Sequence, residues 1–283
     1  MKQIGIIGSG TMGAGIALSS SLNGFDVIVF DISKSALSNA IGRIKTDLLK
    51  MAEKEIIASA QVPKILSRIK STTALSRLKS SDLVIEAIIE DLNAKRKLFL
   101  DLEGIVSENT ILATNTSSLS VSEIASTLQI PQRALGLHFF NPVPRMKLVE
   151  VINGVHTSTE TMQHATDFIK HLAKTPIVVK DVPGFIVNRI ARPFYGEALK
   201  ILGEGIASIE EIDRIVKLEG DFKMGPFELM DVIGIDINLA VTKSMYEQTF
   251  HEPRYKPHQI QQRMVNAGKL GKKTQIGFYS YKK

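Results

Sequence analysis

The sequence contains no cysteine, and this absence alone excludes several kinds of chemistry. Disulfides, thiolate zinc sites and cysteine nucleophiles are ruled out, and we expect no bound metal ion. Long hydrophobic runs are also missing, because no apolar stretch approaches the roughly 20 residues that cross a bilayer. We therefore expect a cytoplasmic protein that is not embedded in a membrane.

Acidic residues are fewer than basic ones, 29 against 35, which gives a formal net charge of +6. Such an excess could serve nucleic acid, an anionic membrane surface or an anionic small ligand. The basic residues are spread along the chain, apart from Lys95-Arg96-Lys97 and the C-terminal tail. Aromatic residues do not interleave with them in the manner of single-strand binding proteins. We expect no nucleic-acid partner and interpret the excess as solvation, with local patches for a phosphorylated ligand.

The chain has 283 residues, more than one hydrophobic core usually organises, so two domains are expected. The first half alternates short β-branched runs with longer amphipathic stretches, the pattern of a parallel sheet with crossover helices. Helices are predicted over residues 12–22 and about 34–54, after Asp91 and from Ser120. The predicted strands are residues 3–7, 26–30, 83–87, 111–114, 134–138, 148–152 and 177–179.

Strand signals stop after Pro183-Gly184. From Phe185 onward the periodicity is helical, with Ser208 and Glu211 at capping-box spacing and Pro226 suited to a first helical turn. The sequence therefore predicts an α/β domain over residues 1–183 and a smaller all-α C-terminal domain over residues 184–283.

Gly8-Ser9-Gly10-Thr11-Met12-Gly13 is a G-x-G-x-x-G motif between the first predicted strand and the first predicted helix. Three glycines at this spacing are a weak signal alone, but in this context backbone N–H groups can meet a pyrophosphate at a helix N-terminus. Gly8 permits the tight turn, Gly10 lets the phosphates approach, and Gly13 lets the helix pack against the strand. The loop, Thr11 and Met12 included, is predicted to bind a dinucleotide, and the N-terminal domain to be of the Rossmann type.

Asp31 ends the second predicted strand. A carboxylate there can accept hydrogen bonds from the adenosine ribose hydroxyls and would repel a 2′-phosphate, which favours NAD over NADP. The alternative is that Asp31 caps the helix that starts near Ser33.

A Rossmann domain indicates a cofactor but not a reaction. Dehydrogenation of an alcohol needs a base for the hydroxyl proton, and histidine suits that task at neutral pH. A carboxylate on the other ring nitrogen fixes the tautomer and stabilises the imidazolium. His138, at the end of one predicted strand, and Glu150, on the next, could form such a pair. The alternative is an interior histidine and a surface glutamate.

The string His-Phe-Phe-Asn-Pro-Val-Pro at residues 138–144, followed by Met-Lys-Leu-Val-Glu, resembles the 3-hydroxyacyl-CoA dehydrogenase family, which includes 3-hydroxybutyryl-CoA dehydrogenases. The likeness covers nearly the whole chain. It implies NAD-dependent oxidation of (S)-3-hydroxyacyl-CoA to 3-oxoacyl-CoA and the reverse, in fatty-acid metabolism, with short acyl chains as the first expectation. Further matching segments are residues 8–17, 84–90, 115–119, 183–189, 224–231 and 271–279.

The resemblance implies catalytic roles for four residues. His138 is the general base and Glu150 its orienting partner. Ser117 binds the 3-oxygen of the substrate and Asn188 positions and polarises it, since such donors suit an oxygen that gains negative character. The residues alone leave Ser117 and Asn188 open as helix-start or turn residues.

Cofactor contacts are implied in the same way. Glu90 and Lys95 match a pair lining the nicotinamide ribose, Ser117 and Asn141 approach the nicotinamide, and Lys273 matches a distal lysine near the cofactor. The alternatives are that Lys95 belongs to a solvated basic helix face and that Lys273 is part of a basic tail.

Acyl-CoA carries a 3′-phosphate and a diphosphate, so a basic contact surface is expected. Lys50 and Lys54 share a helix face at i, i+4 spacing, on a segment that resembles the part of the family that meets CoA. An ordinary exposed helix face is the alternative. The resemblance also implies a homodimer formed through the helical domain.

Two other functions remain open. The segment that starts at Arg192-Pro193-Phe194-Tyr195 looks like subfamilies acting on 3-hydroxyadipyl-CoA in aromatic-compound breakdown. Arg192 could meet a distal carboxylate, and the alternative is an arginine with a structural role in its helix. A non-enzymatic NAD(H)-binding member resembling the lens lambda-crystallins is the second. The presence of all four catalytic candidates argues against it, and an asparagine rather than a lysine at Asn188 argues against a 3-hydroxyisobutyrate-type dehydrogenase.

Overall fold

The computed structural model describes residues 1–281, and the chain divides into two compact units, Met1–Val182 and a second one that begins at Pro183. The first unit is built on an eight-stranded sheet with helices between the strands. Its strands are β1 (Gln3–Ile7), β2 (Asp26–Phe30), β3 (Ile69–Thr72), β4 (Leu83–Glu86), β5 (Ile111–Thr114), β6 (Ala134–Phe139), β7 (Leu148–Asn153) and β8 (Thr175–Lys180). Its helices are α1 (Thr11–Leu22), α2 (Lys34–Glu53), α3 (Gln61–Ser67), α4 (Leu92–Glu103), α5 (Val121–Ala125) and α6 (Thr159–His171).

The strand order is β3-β2-β1-β4-β5-β6-β7-β8. Every neighbouring pair is parallel except β6 and β7, which run antiparallel. The carboxyl ends of β1, β4, β5 and β6 therefore lie at one edge of the sheet, where open α/β sheets bind their ligands. From β1 the chain first adds strands on one side, to β3, and then on the other side, from β4 onward. The topological switch point of the sheet therefore lies between β1 and β4.

Alternation along the strands sorts side chains between two cores. Leu83 and Ile85 of β4 pack in the layer of α1, α2 and α6, whereas Val84 packs in the layer of α4 and α5. Since successive side chains point to opposite faces, Glu86 belongs to the face of α4 and α5. The same alternation puts Thr114, His138 and Glu150 on that face, because their strand neighbours occupy the first layer.

Several elements differ from the sequence-based prediction. β3, α3 and α6 were not predicted, and β3 is a four-residue edge strand whose sequence, Ile-Lys-Ser-Thr, lacks a continuous apolar run. The pattern indicated a parallel sheet with crossover helices, and it gave no sign of the antiparallel direction of β7. α2 ends at Glu53, with Lys54 as its C-cap residue.

The second unit is helical, with α7 (Val187–Gly203), α8 (Ile209–Glu219), α9 (Pro226–Ile233), α10 (Ile235–Gln248) and α11 (Gln259–Asn266). The predicted capping box of Ser208 and Glu211 is formed at the start of α8. Pro226 is the first residue of α9. A core of its own includes Leu199, Phe227 and Met230. Within residues 1–281 no helix is both long and apolar enough to cross a bilayer.

Candidate active site

The glycine loop has the geometry of a phosphate cradle. Gly8 has a φ of 95°, and a Cβ there would lie 2.5 Å from the carbonyl oxygen of Ala87. A Cβ on Gly13 would clash with the carbonyl oxygen of Gly8, whereas a Cβ on Gly10 would meet no atom within 4 Å. The loop is thus tightly packed at its two ends and open at its middle glycine, directly before α1. This arrangement fits a dinucleotide pyrophosphate.

Asp31 is tied to the same loop. Its carboxylate accepts hydrogen bonds from the Ser9 N–H at 2.8 Å and the Ser9 hydroxyl at 2.7 Å, and from the Ser33 N–H at 3.0 Å. Burial opposes ionisation, but these bonds outweigh it and hold the pKa of Asp31 below its usual value. The cap of α2 is Ser33, which accepts from the Ala36 N–H, so the alternative role of Asp31 as that cap is wrong.

His138 and Glu150 face each other across the antiparallel pair of β6 and β7. Directly opposed residues of such a pair point to the same face, so the register itself brings the two side chains together. His138 Nδ1 lies 2.6 Å from Glu150 Oε2. His138 is 7% exposed and Glu150 0%, so the interpretation of Glu150 as a surface charge is wrong. With the carboxylate at Nδ1, the ring has its proton on that nitrogen and Nε2 is the basic atom.

Lys95 is not on a solvated face, contrary to the alternative considered for its basic cluster. Its side chain is 1% exposed, and Nζ lies 2.6 Å from Glu86 Oε1 and 3.2 Å from Glu90 Oε2. Glu86 is fully buried and also accepts from the Thr114 hydroxyl at 2.7 Å. Sequence reasoning did not single out Glu86. The available signal was an acidic residue as the last position of an otherwise apolar strand, Leu-Val-Ile-Glu.

Glu90 organises the loop that follows β5. Its Oε1 accepts from the Thr116 hydroxyl at 2.5 Å, the Ser117 N–H at 3.0 Å and the Ser118 hydroxyl at 3.0 Å. Burial raises the pKa of Glu90, but Lys95 and these donors outweigh that effect and leave it lowered. Glu90 is thereby an ionised carboxylate that holds the Ser117 backbone in place.

Asn115 ties this loop to the strand that carries the histidine, because its Oδ1 accepts from the Phe139 N–H at 2.9 Å. The glycine loop, the loop containing Ser117 and the end of β6 therefore lie at one edge of the first unit. Asn141, two residues beyond Phe139, is exposed. The segment after it is held by Lys174, whose Nζ donates to the carbonyls of Val143 and Met146.

Lys50 lies in the last turn of α2 and Lys54 caps it, and both are exposed. Their contact with CoA stays a prediction.

In the second unit, Asn188 is the second residue of α7, and its Oδ1 accepts from Arg192 at 3.4 Å. Arg192 is buried and also donates to the Asn238 carbonyl at 2.8 Å and the Thr242 hydroxyl at 3.2 Å. Burial lowers the pKa of Arg192 to about 10, so it is charged at neutral pH. Lys273 Nζ lies 2.6 Å from the Asp236 carboxylate.

A glycine cradle, a ribose-side carboxylate and a histidine braced by a buried glutamate define a nucleotide-dependent dehydrogenase of the Rossmann class. Two protein-family models match the chain, and both describe a single family within this class of dehydrogenases. The 3-hydroxyacyl-CoA dehydrogenase NAD binding domain matches residues 3–182, and the C-terminal domain of the same family matches residues 184–281. The chain belongs to the 3-hydroxyacyl-CoA dehydrogenase family, and its cofactor is NAD.

The similarity to individual relatives covers nearly the whole chain. A 3-hydroxybutyryl-CoA dehydrogenase of Clostridioides difficile is 44% identical over 99% of this chain and 100% of its own length. The crystal structure of (S)-3-hydroxybutyryl-CoA dehydrogenase from Ralstonia eutropha superposes with a TM-score of 0.96 at 43% identity, covering 100% of both chains. A 3-hydroxyadipyl-CoA dehydrogenase of Escherichia coli (strain K12) is 41% identical over 100% of this chain but only 59% of its own length.

Proposed function

We propose that this protein catalyses the NAD-dependent oxidation of (S)-3-hydroxybutyryl-CoA to acetoacetyl-CoA and the reverse reduction. The observation that carries the proposal is the buried His138–Glu150 pair at the sheet edge that also holds the glycine loop. The short acyl chain is supported by the names of the full-length relatives from Clostridioides difficile and Ralstonia eutropha.

In the oxidative direction, Nε2 of His138 accepts the proton of the 3-hydroxyl group. NAD bound at the glycine loop and Asp31 would supply the acceptor for the hydride that leaves the same carbon. Glu150 keeps the other ring nitrogen protonated and stabilises the imidazolium that forms. In the reductive direction the imidazolium returns its proton to the 3-oxygen. The 2.6 Å distance between His138 and Glu150 supports these two roles.

Ser117 and Asn188 are proposed to donate hydrogen bonds to the substrate oxygen atoms. For Ser117 the support is its place on the loop that Glu90 holds next to the end of β6. For Asn188 it is the resemblance of residues 183–189 to the family.

The proposed cofactor contacts are the glycine loop, Asp31, Glu90, Lys95, Asn141 and Lys273. Asp31 is an ionised acceptor beside the loop, which supports a contact with the adenosine ribose. Lys95 is enclosed by two carboxylates and supports the site through them. Asn141 and Lys273 rest on the resemblance.

Lys50 and Lys54 are proposed to meet the phosphates of CoA. Replacing both with alanine should raise KM for acetoacetyl-CoA about tenfold and leave the Kd of NADH unchanged, because each lysine acts as a point charge on a phosphate. An unchanged KM in steady-state assays would contradict this assignment.

A cytoplasmic location also stays a prediction.

A homodimer formed through the helical unit is proposed from its exposed apolar residues. α8 and the loop before it carry Ile206, Ile215 and Leu218, which are 68%, 60% and 71% exposed, around a groove of about 650 Å³. Contiguous exposed apolar surface marks interaction sites. Leu218→Glu should give the scattering mass of a monomer, whereas Val155→Glu in the first unit should not. A monomeric wild-type protein at micromolar concentration would refute the dimer.

A substrate panel tests the reaction itself. NADH oxidation is followed with acetoacetyl-CoA, longer 3-oxoacyl-CoA thioesters, 3-oxoadipyl-CoA and free acetoacetate, each repeated with NADPH. We expect the highest kcat/KM with acetoacetyl-CoA and NADH. Turnover of the free acid alone, or NADH binding without turnover of any thioester, would overturn the proposal. A clear preference for 3-oxoadipyl-CoA would keep the reaction type and replace the substrate.

A further inference from the structure

Glu86 is a fully buried carboxylate that the proposed reaction does not use. Its Oε1 accepts from the Ile88 N–H at 2.7 Å and from Lys95 Nζ at 2.6 Å, and its Oε2 accepts from the Thr114 hydroxyl. The Thr114 oxygen also accepts from the Thr116 N–H. The Ile88 N–H and the Lys95 ammonium can only donate to Glu86, which is the environment of an ionised carboxylate.

Glu90 is likewise surrounded by hydrogen-bond donors. The Thr116 hydroxyl, the N–H groups of Ser117 and Ser118, and the Ser118 hydroxyl converge on its Oε1, while Lys95 approaches its Oε2. The two carboxylates share a single ammonium group. The triad of Glu86, Lys95 and Glu90 therefore carries a net charge of −1, and its members are connected by short contacts inside the sheet edge.

The sheet topology places this charge on the nicotinamide side of a bound dinucleotide. A dinucleotide crosses the switch point between β1 and β4, and Asp31 after β2 defines the adenosine side. Glu86 ends β4 and Glu90 follows it. Glu90 also holds the loop that Asn115 connects to the strand of His138, where hydride transfer has to occur.

We propose that this triad acts as an electrostatic selector between the two redox forms of the cofactor. Its residual negative charge favours the positively charged ring of NAD⁺ over the neutral ring of NADH. Glu86 is thereby a positioning residue, which acts through Lys95 and Glu90. The inference rests on the proposed placement of the nicotinamide beside Glu90. One unit charge at a partly screened site changes a binding constant by about tenfold.

The test measures Kd for NAD⁺ and for NADH by calorimetry and fluorescence titration. Glu86→Gln keeps the shape of the side chain and brings the triad to zero net charge, so the ratio Kd(NAD⁺)/Kd(NADH) should rise about tenfold. The double variant Glu86→Gln/Lys95→Met returns the net charge to −1, and its ratio should return to within about threefold of the wild-type ratio. Glu103→Gln removes a carboxylate that is paired with Arg133 elsewhere in the first unit, and should leave the ratio unchanged.

An unmoved ratio in folded Glu86→Gln protein, or an equal loss of affinity for both redox forms, would overturn the inference, since a purely structural residue weakens both forms alike. Where Glu86→Gln does not fold, the double variant is compared with the triple variant that adds Glu90→Gln. The inference then requires about a tenfold higher ratio in the uncharged triple variant. Failure of the proposed function is distinguishable, because wild-type protein would then fail to bind NADH or to reduce acetoacetyl-CoA.

Discussion

Within residues 1–281, a buried and an exposed histidine–glutamate pair can be compared. His138 and Glu150 lie 2.6 Å apart with side chains 8% and 0% exposed, whereas His251 and Glu247 lie 3.0 Å apart with side chains 60% and 71% exposed. The first pair is a cross-strand contact of β6 and β7. The second joins α10 to the residues just after it.

Residue type and distance are nearly the same in the two pairs, so they cannot by themselves mark a catalytic base. The exposed pair competes with water and salt, and such pairs contribute about 0–1 kcal/mol. In the buried pair the carboxylate has lost its water, and the sheet holds both backbones in register. Only there does the glutamate fix the imidazole tautomer at all times, as proton transfer requires.

The largest expected effect is on turnover after removal of the buried histidine. His138→Gln should lower kcat by about a hundredfold or more, the usual scale for a general base, and leave the Kd of NADH intact. His251→Gln is the matched control and should keep wild-type turnover. Equal activity of the two variants with acetoacetyl-CoA would reject His138 as the base.

Removal of the orienting charge should have the next largest effect. Glu150→Gln keeps a hydrogen-bonding side chain but lets the amide accept or donate, so the tautomer is no longer fixed, and kcat should fall by at least about tenfold. Glu247→Gln should not change kcat. A Glu150→Gln enzyme with full activity would show that the bracing of His138 is not needed.

The smallest effect concerns the stability of the exposed pair. A double-mutant cycle of His251 and Glu247 in urea unfolding should give a coupling free energy below about 0.5 kcal/mol. Because the Debye length falls to about 3 Å at 1 M salt, the coupling should then vanish. A coupling above about 1 kcal/mol that survives high salt would remove the contrast between the two pairs.

Much of the first unit could be predicted because its strands carry strong local signals. The strands β1, β2 and β5 were predicted with their observed bounds, and the glycine loop was recognised because it stands between a strand and a helix. β3 escaped because a short, polar edge strand has no such signal. The antiparallel direction of β7 depends on a pairing partner that periodicity does not reveal.

The contact of His138 with Glu150 was predicted and is present, although the residues alone left an interior histidine open and the resemblance implied the catalytic role, which stays a prediction. The environment of Lys95 was not predictable, since Lys95-Arg96-Lys97 looks like a solvated basic face. Lys95 is buried because it pairs with Glu86 of β4. It is also the one residue of the three basic ones that faces the sheet. Amphipathic patterns report apolar stripes, and a buried ion pair interrupts such a stripe.

The register of β6 and β7 has a consequence for evolution of the sequence by insertion and deletion. Val149 and Val151 point to one core and Glu150 to the other face. A shift of β7 by one residue would therefore turn Glu150 away from His138 and bury its carboxylate among aliphatic side chains. An insertion of one residue within β7 would therefore disrupt both the proposed base and the core.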